Sequence, residues 1–327
     1  MTPPWTPLAI GGPTGTGKTV LAVEVAHRLG GELLNADSRQ VAARLRVGTA
    51  APTRAELRGI TCHLLDLCEP GDPFTVADWV RRTRACLDDL DTRGVPAIIV
   101  GGTGQYLRAL REGWELGGGP PDPRRRAKLA AIAASAEGMA GLVVELRARD
   151  PEGAAALDLG NPRRVIRAVE LLRGGAPSLA QARRRTGGRR LDLVVLDAER
   201  GLHREALTHR LDTMFVGGAL LAEVAAELSR GTAPAALRRA GIGYAEALDM
   251  IDGRLDVEAA SAVAMQRTRR YVKAQRTWFR QEDAALRLER GPGSTTSGMA
   301  EAVLAMIAAG RDHSAGTAPL RKFSRKP

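Results

Sequence analysis

The stretch Gly12-Pro13-Thr14-Gly15-Thr16-Gly17-Lys18-Thr19 decides the fold. It matches the phosphate-binding pattern G-x-x-x-x-G-K-[ST], lies after a short apolar run at Leu8–Gly11, and precedes a helical pattern at Val20–Leu29. Glycines let backbone N–H groups converge on phosphate oxygens, and a helix N-terminus adds its dipole. Lys18 then reaches the terminal phosphates, and Thr19 supplies a hydroxyl to Mg²⁺. The stretch therefore predicts a loop that binds a di- or triphosphate.

Strand and helix patterns alternate around this loop. Glu32–Asn35, Val95–Val100 and Leu191–Leu196 are predicted strands, whereas Val76–Leu90 and Gln105–Leu110 are predicted helices. Alternation of this kind is typical of an α/β fold with a parallel sheet. Together with the loop, it predicts a P-loop NTPase-like parallel sheet flanked by helices.

The remaining patterns predict how the chain is divided. We expect the first part of the α/β core over 1–119, a basic helical insertion over 120–190, completion of the core over 191–290, and a linker, short helix and disordered tail over 291–327. The breaker cluster Gly117–Pro123 marks the first boundary. In the later segments the predicted helices cover 203–230, 234–251, 256–288 and Met299–Ala309, with disorder beyond His313.

Positive charge is concentrated in two parts of the chain. The 48 basic residues, 43 of them Arg, exceed the 37 acidic residues by 11. Residues 1–119 are neutral, residues 191–262 carry a net charge of −5, and residues 120–190 and 263–327 each carry +8. This asymmetry indicates a polyanionic partner reached by two regions, although solvated arginine-rich helix faces would give the same pattern.

Composition also excludes several protein classes. With 44% hydrophobic and 26% charged residues, the chain is globular and not disordered. No apolar run approaches the ~20 residues that span a bilayer, and the first residues do not resemble a secretory signal. Cys62, Cys68 and Cys86 have no metal-binding spacing. We expect a cytoplasmic monomer that does not enter a membrane.

The residues alone leave the reaction open. A kinase or NTPase has an Asp at the end of a second apolar strand, but Val95–Val100 ends in glycines. Asp66 follows only a short apolar run. Asp37 directly follows the Glu32–Asn35 strand, at the sheet edge where α/β folds bind ligands. Its carboxylate is a candidate metal ligand, general base or helix cap.

Several segments, taken in order, resemble the bacterial tRNA dimethylallyltransferases, also called tRNA isopentenyltransferases. The resemblance covers residues 8–280. Its segments are GPTGTGKT at 12–19, NADSRQV at 35–41, VGTAAPT at 47–53, CHLLDLCEP at 62–70, FTVADW at 74–79, GGTGQYLRAL at 101–110, NPRRVIRAVELL at 161–172, HRLDTM at 209–214, AGIGYAEAL at 240–248 and RRYVKAQRTWFR at 269–280.

The resemblance implies group transfer and not hydrolysis. Such enzymes move the dimethylallyl group from dimethylallyl diphosphate to N6 of the adenosine at tRNA position 37, on the 3′ side of the anticodon. Mg²⁺ assists and diphosphate leaves. The phosphate-binding loop would then hold a leaving group in place of a nucleotide.

The resemblance also assigns roles to individual residues. Asp37 matches the general base, Lys18 and Gly12–Thr19 match the diphosphate site, and Thr19 matches the Mg²⁺ ligand. Arg210 matches an arginine that reaches the diphosphate from a later helix, and Thr103 matches a position beside the target adenosine. The positions that match tRNA contacts are Asp37, Ser38, Arg39, Gln40, Thr103, Arg126, Arg163, Arg164, Val165, Ile166, Arg167, Lys273, Arg276 and Arg280.

Some positions depart from the pattern of these enzymes. Ala42, Ala43, Ala51 and Ala274 replace larger or basic residues, and Cys62 replaces the first His of a pair. None belongs to the catalytic set, but the alanines bear on RNA contacts. Tyr271 and Trp278 are seven positions apart on the last basic helix, where both core packing and RNA contact fit them.

Three alternatives to tRNA prenylation remain at this stage. The acceptor is a free adenine nucleotide in the related adenylate isopentenyltransferases, for which a basic insertion over 120–190 is superfluous. A P-loop kinase or nucleic-acid-dependent NTPase would turn over ATP. An RNA-binding protein with an inactive loop would not need Lys18, Thr19 and Asp37 together.

Overall fold

The structure is a computed structural model and describes residues 5–114, 122–182, 185 and 187–314. The elements in chain order are β1 (Leu8–Gly11), α1 (Lys18–Leu29), β2 (Glu32–Asn35), α2 (Arg54–Leu57), β3 (Cys62–His63), α3 (Val76–Arg93), β4 (Ala97–Gly101), α4 (Gly104–Glu112), α5 (Pro123–Ile132), α6 (Ala136–Arg149), α7 (Pro151–Ala155), α8 (Pro162–Arg173), α9 (Leu179–Ala182), β5 (Asp192–Ala198), α10 (Arg200–Phe215), α11 (Ala219–Ser229), α12 (Pro234–Ala240), α13 (Tyr244–Ile251), α14 (Val257–Arg280), β6 (Leu286–Arg290) and α15 (Thr296–Ser314).

The described strands form a six-stranded parallel sheet in the order β3-β2-β4-β1-β5-β6. β1 and β4 are apolar along their whole length because a parallel sheet is covered on both faces. One core cluster joins the sheet to α1 and to Ala300 and Val303 of α15. A second cluster joins α10, α11, α13 and α14. The predicted α/β fold is confirmed.

The chain divides into two compact units. Unit 1 comprises Met1–Phe74, Arg81–Leu107 and Arg190–Pro327, and it contains the whole sheet. Unit 2 comprises Thr75–Val80 and Arg108–Arg189, so its boundary lies earlier than the predicted residue 120. The breaker cluster expected to mark that boundary falls mostly on residues 115–121, which lie outside the described residues.

Unit 2 has a helical core of its own. The N-terminus of α8 begins as the sequence indicates, because the Asn161 side chain accepts hydrogen bonds from the Arg163 and Arg164 N–H groups and Pro162 occupies the first turn. One face of α8 packs against α5 and α6 through an apolar cluster that includes the fully buried Val165 and Leu146.

The largest error in the predicted elements concerns residues 286–290. The sequence predicts a helix over 256–288, whereas α14 ends at Arg280 and β6 pairs with β5. Leu286 and Leu288 face the core cluster while Arg287 and Glu289 alternate with them. So short a pattern fits either period, and the free edge of β5 decides it.

Glycines interrupt two of the other predicted helices. The helix expected over 203–230 breaks into α10 and α11 at Gly218, where φ is 66°. The helix expected over 234–251 breaks into α12 and α13 at Gly243, where φ is 105°. Both values lie in the region that only glycine adopts at little cost. The sequence predicts disorder beyond His313, but Ser314 still belongs to α15, and the rest of the tail, from residue 315 onward, lies outside the described residues.

Among the described residues, no single helix is long and apolar enough to cross a membrane. The pair Arg124–Ile132 and Ala136–Arg149 meets the length and composition criteria only when its two helices, bent by 115°, are taken together.

Val165 is predicted to stabilise unit 2. Replacing it by Ala removes two fully buried methyl groups and leaves a cavity, so the free energy of unfolding should fall by about 2 kcal/mol. Urea denaturation of the two proteins measures this change. Val144→Ala on α6 is the matched control, since Val144 is 65% exposed and should change stability by less than about 0.5 kcal/mol. Equal effects at the two positions would contradict the burial of Val165.

Candidate active site

The phosphate-binding loop connects β1 to α1 at the carboxyl edge of the sheet. Gly12 has a φ of 146°, and a Cβ at this position would lie 2.0 Å from the Leu196 carbonyl oxygen of β5. Gly15 and Gly17 also have positive φ values, of 80° and 92°. The N–H groups of the first turn of α1 lack partners within the helix, so the loop and this turn together present donors to an anion.

Lys18 is buried at the start of α1. Its Nζ donates a hydrogen bond to the Pro13 carbonyl oxygen at 2.6 Å. Burial lowers the pKa of Lys18 to about 8, while the nearby Asp37 carboxylate opposes that change and the Arg210 guanidinium adds to it. A bound anion would replace the missing solvation and stabilise the ammonium form.

Thr14 is held by side chains from two late helices. Its backbone N–H donates to Gln275 Oε1 of α14 at 2.9 Å, and its Oγ1 accepts from Arg210 Nη1 of α10 at 2.9 Å. Arg210 Nη2 also donates to the Gly48 carbonyl oxygen at 2.9 Å. Arg210 therefore lies beside the phosphate-binding loop, as the sequence resemblance implies.

The loop that carries Gly48 is itself fixed by a carboxylate. Glu223 Oε2 accepts from the Arg46 and Val47 N–H groups at 2.6 and 2.7 Å, and Oε1 accepts from the Tyr244 hydroxyl at 2.7 Å. A Cβ on Gly48 would lie 2.4 Å from the Tyr244 ring. These contacts place the Gly48 carbonyl where Arg210 needs an acceptor.

Asp37 follows β2 at the same edge of the sheet. Its N–H donates to Asn35 Oδ1 at 3.0 Å, and its Oδ1 accepts from the Arg39 N–H at 2.9 Å. Asn35 in turn donates to the carbonyl oxygens of Asp37 and Leu64. This turn holds the carboxylate with one oxygen in a backbone hydrogen bond and leaves the other available.

Thr103 joins the glycine-rich loop after β4 to the turn after β2. Its N–H donates to the Ala36 carbonyl oxygen at 3.1 Å, and its Oγ1 accepts from the Ser38 N–H at 2.9 Å. Gln275 Nε2 donates to the Gly102 carbonyl oxygen at 2.9 Å. Gln275 thus connects this loop to the phosphate-binding loop. The basic and aromatic pattern of its segment did not indicate this role.

Arg39 and Gln40 bind backbone carbonyl groups in this structure. Arg39 Nη1 donates to the carbonyl oxygens of Arg239 and Ala240 at 2.8 and 3.3 Å. Gln40 Nε2 donates to those of Thr49 and Ala50 at 3.3 and 2.9 Å. Both side chains tie the turn after β2 to neighbouring segments.

A cavity of about 280 Å³ collects most of the predicted catalytic residues. Lys18, Thr19, Asp37 and Arg210 all line it, together with Thr14, Gly15, Gly17 and Gln40. The apolar part of its wall consists of Val20, Leu33, Pro52, Cys62 and Val100. A cationic and an apolar wall in one cavity suit a ligand with a charged and a hydrocarbon end.

Carboxylates are few around this cavity. In the part of the chain that the structure describes, no group of three or more His, Cys, Asp or Glu side chains could hold a metal ion. Asp66, one candidate from the sequence, forms an ion pair with Arg46 and does not line the cavity. Thr19 and Asp37 remain as oxygen donors beside the phosphate-binding loop.

The predicted RNA contacts of unit 2 divide by their partners. Arg126 and Arg167 both bind the buried Glu170 carboxylate, at 2.6 and 2.8 Å, and Arg164 lies 3.3 Å from Asp158. Arg163 is exposed and has no acidic partner among the described residues.

Two apolar positions in the same segment were also expected to contact tRNA. The Val165 side chain is fully buried in the core of unit 2, so it does not belong to the exposed surface of α8, and a tRNA contact at this position stays a prediction. Ile166 packs against the same core and is partly buried.

A second groove, of about 390 Å³, lies between α10 and α14. The cations that line it are Arg200, Arg204, Arg269, Lys273, Arg276 and Arg280. Among these described residues only Arg276 pairs with a carboxylate, that of Asp197 at 2.8 Å. Lys273 and Arg280 are exposed and remain available to an anion.

Tyr271 and Trp278 of α14 are partly buried. The Trp278 indole lies against Gly104, where a Cβ would be 2.1 Å from Nε1. Burial and the Asp37 carboxylate both raise the pKa of Tyr271, whereas Arg39 lowers it, so the Tyr271 ring lies near Asp37. Packing therefore accounts for Trp278, and Tyr271 borders the site.

Comparison with known proteins assigns the family. The IPP transferase family profile matches residues 40–282, and an isopentenyl transferase profile matches residues 7–68. The tRNA dimethylallyltransferase of Salinispora arenicola is 38% identical over 94% of this chain and 88% of its own length. That of Anaeromyxobacter dehalogenans is 41% identical over 84% of this chain and 91% of its own length.

Solved structures agree with these sequence matches. The full-length tRNA isopentenylpyrophosphate transferase of Bacillus halodurans has a TM-score of 0.68 and 30% identity, covering 95% of this chain and 100% of that one. A eukaryotic dimethylallyltransferase acting on tRNA has a TM-score of 0.75 at 23% identity, which shows the shared fold. With a profile match over most of its length and relatives this similar, the chain belongs to the IPP transferase family.

Proposed function

We propose that this enzyme transfers the dimethylallyl group of dimethylallyl diphosphate to N6 of the adenosine at tRNA position 37. The observation that carries the proposal is that Asp37, Lys18 and Arg210 line one cavity of about 280 Å³. A general base and a diphosphate site are thereby adjacent. The names of the relatives supply the group transferred and the acceptor.

The proposed reaction uses this general base and this diphosphate site together. The N6 lone pair attacks the allylic C1, the C1–O bond breaks, and its electron pair leaves on the diphosphate. Asp37 takes the proton that N6 loses. Lys18, the loop amides and Arg210 stabilise the charge that grows on the leaving diphosphate, a type of interaction worth roughly 10²–10³ in rate per donor.

Mg²⁺ fits the donor set of the cavity. This ion keeps several waters and binds through one or two carboxylates together with substrate phosphates, so a dedicated acidic cluster is not required. The Thr19 hydroxyl would hold it, and Asp37 offers a carboxylate in the same cavity. When bound, Mg²⁺ neutralises diphosphate charge.

An adenine stacked in an anticodon loop cannot present N6 to a buried carbon, so the base must be extruded. The turn that carries Asp37 continues through Ser38, Arg39 and Gln40 and is bonded to Thr103. These residues are proposed to contact the extruded nucleotide. The exposed basic residues of α8 and α14 are proposed to bind RNA phosphates. The cytoplasmic location and the monomeric state stay predictions.

The primary experiment combines the purified enzyme with dimethylallyl diphosphate, Mg²⁺ and an unmodified anticodon stem-loop. Mass spectrometry should detect N6-dimethylallyladenosine at position 37. AMP as acceptor should react poorly, because a mononucleotide lacks the RNA backbone that the arginines of unit 2 are proposed to bind. Equal turnover of AMP would favour an adenylate isopentenyltransferase, and ATP turnover without prenyl transfer would favour a kinase or NTPase.

Asp37→Asn should separate catalysis from binding. The amide preserves the oxygen that accepts from the Arg39 N–H but is not a base, so kcat should fall by roughly 10²–10⁴. The dissociation constant for the stem-loop should change less than about threefold, an energy below one hydrogen bond. Glu56→Gln is the control, since Glu56 lines the same cavity but caps α2. A parallel loss of RNA affinity would make Asp37 a binding residue.

Diphosphate binding should weaken as the pH rises through about 8. Because the pKa of Lys18 in the free enzyme is about 8, the ammonium form falls about tenfold between pH 7 and pH 9. Dimethylallyl diphosphate stays almost completely ionised over this range, because its last pKa is about 6. Calorimetric titration should therefore show about tenfold weaker affinity at pH 9. Lys18→Arg, which stays charged, should show no such decline, and a flat wild-type profile would contradict the lowered pKa.

Arg163→Gln should weaken stem-loop binding at low salt and reduce its dependence on salt concentration by about one counterion. Arg163 is exposed and has no acidic partner in the part of the chain that the structure describes, whereas Arg167 is bound by Glu170 and should matter less. Arg147→Gln is the control, because Arg147 is an exposed arginine on α6 of the same unit. Filter binding at several salt concentrations measures the slope. An unchanged slope would show that Arg163 is only a solvated surface residue.

A further inference from the structure

His203 of α10 makes two hydrogen bonds that together determine its protonation. Its Nε2 lies 2.7 Å from the Thr14 carbonyl oxygen, and its Nδ1 lies 3.0 Å from Arg276 Nη2. A guanidinium only donates and a carbonyl only accepts. Nδ1 must therefore be the acceptor and Nε2 must carry the proton, so the ring is neutral and in one tautomer.

Arg276 is in turn held by Asp197 at the end of β5. Its Nε donates to both Asp197 carboxylate oxygens at 3.0 and 3.1 Å, and its Nη2 donates to Oδ1 at 2.8 Å. Nη2 also lies 3.1 Å from the Ala198 carbonyl oxygen. The Arg276 side chain is 23% exposed and its guanidinium is bonded within the protein, whereas Lys273 and Arg280 on the same helix are exposed.

We propose that Asp197, Arg276 and His203 form a chain of hydrogen bonds that positions the Thr14 carbonyl, and thereby the phosphate-binding loop, for diphosphate. His203 and Arg276 are positioning residues in this arrangement and touch no substrate. The inference rests on the proposed function in that the diphosphate is the leaving group. It changes the role of Arg276 from the RNA contact implied by the resemblance.

Three observations support the chain as a device and not as incidental packing. His203 is 3% exposed, so its two ring nitrogens depend on partners within the protein for their hydrogen bonds. A Cβ on Gly15 would lie 3.3 Å from His203 Nε2, which places the ring directly against the loop. Burial lowers the pKa of His203, and the charges of Arg276 and Lys18 lower it further against Asp197 and the Thr14 bond, which keeps the ring neutral.

The chain explains why a cation and not a carboxylate lies next to His203. A carboxylate at Nδ1 would favour the imidazolium, whose charge would add to the positive charge that Arg210 already places near Lys18. An arginine fixes the same tautomer without adding a proton to the ring. The Thr14 carbonyl therefore accepts a hydrogen bond from His203 Nε2. Because the ring stays neutral, the ammonium form of Lys18 can still be stabilised by bound diphosphate.

The test uses full-length enzyme and calorimetric binding of Mg²⁺ with inorganic diphosphate, which does not require prenyl transfer. His203→Leu should weaken diphosphate binding about tenfold, the value of one unsatisfied hydrogen bond. Stem-loop affinity should stay within about twofold, and the KM for dimethylallyl diphosphate should rise more than kcat falls. His203→Gln places an amide donor near the position of Nε2 and should restore most of the affinity, whereas the shorter Asn should not.

A double-mutant cycle separates a connected chain from independent packing. Arg276→Leu should weaken diphosphate binding about as much as His203→Leu, and the double variant should be no weaker than either. Arg270→Leu is the control, since it removes an exposed arginine from α14. Alone it should leave diphosphate binding unchanged, and combined with His203→Leu it should not alter the effect of that substitution. Thermal unfolding midpoints of all variants check that the fold is retained.

The outcomes are distinguishable from failure of the proposed function. Independent, multiplying losses at His203 and Arg276, or wild-type affinity in His203→Leu, would overturn the inference alone. Equal affinities of the Gln and Asn variants would overturn it as well. Normal diphosphate results without any prenylated RNA would overturn the proposed function and leave the positioning chain intact, whereas a wild-type enzyme that binds no diphosphate would overturn both.

Discussion

Three hydrogen bonds to Thr14 are the constraint on which the site depends. They come from Gln275, His203 and Arg210, residues 189 or more positions later in the chain. The loop sequence supplies glycines that permit its shape, but these distant partners select one shape among those that glycine allows. The loop cannot reach its binding geometry until α10 and α14 have packed, so anion binding depends on the tertiary fold of unit 1.

The parallel sheet gives this constraint its location. The loops after β1, β2 and β4 leave the same edge of the sheet, which brings the phosphate-binding loop, Asp37 and Thr103 into one region. Gln275 then bonds to two of those loops, at Thr14 and Gly102. A single side chain thereby connects the phosphate-binding loop to the loop after β4. In the proposed reaction, the distance between the target base and the leaving group would depend on the sheet and α14 together.

Much of this was accessible from the sequence, for reasons that are local. The apolar runs of β1, β2 and β4 and the loop of residues 12–19 carry their own signals, because a buried parallel strand is apolar throughout. The edge strand β6 was not accessible, since five alternating residues acquire their structure only by pairing with β5. His203 had no signal either. A lone histidine on a helix becomes informative only when Arg276 and the Thr14 carbonyl are seen at its two nitrogens.

The arginine excess shows why location matters more than composition. Many of these arginines serve the fold, as Arg44 does between Glu69 and the buried Glu227, or as Arg126 and Arg167 do around Glu170. Each such arginine compensates a buried carboxylate, so less of its charge is available to an RNA phosphate. Arg163 on α8 and Lys273 and Arg280 on α14 are exposed and have no acidic partner among the described residues, so a phosphate backbone can use them. Net charge measures both sets together, so the sign of the partner follows from the charge but its binding site follows only from the pairing.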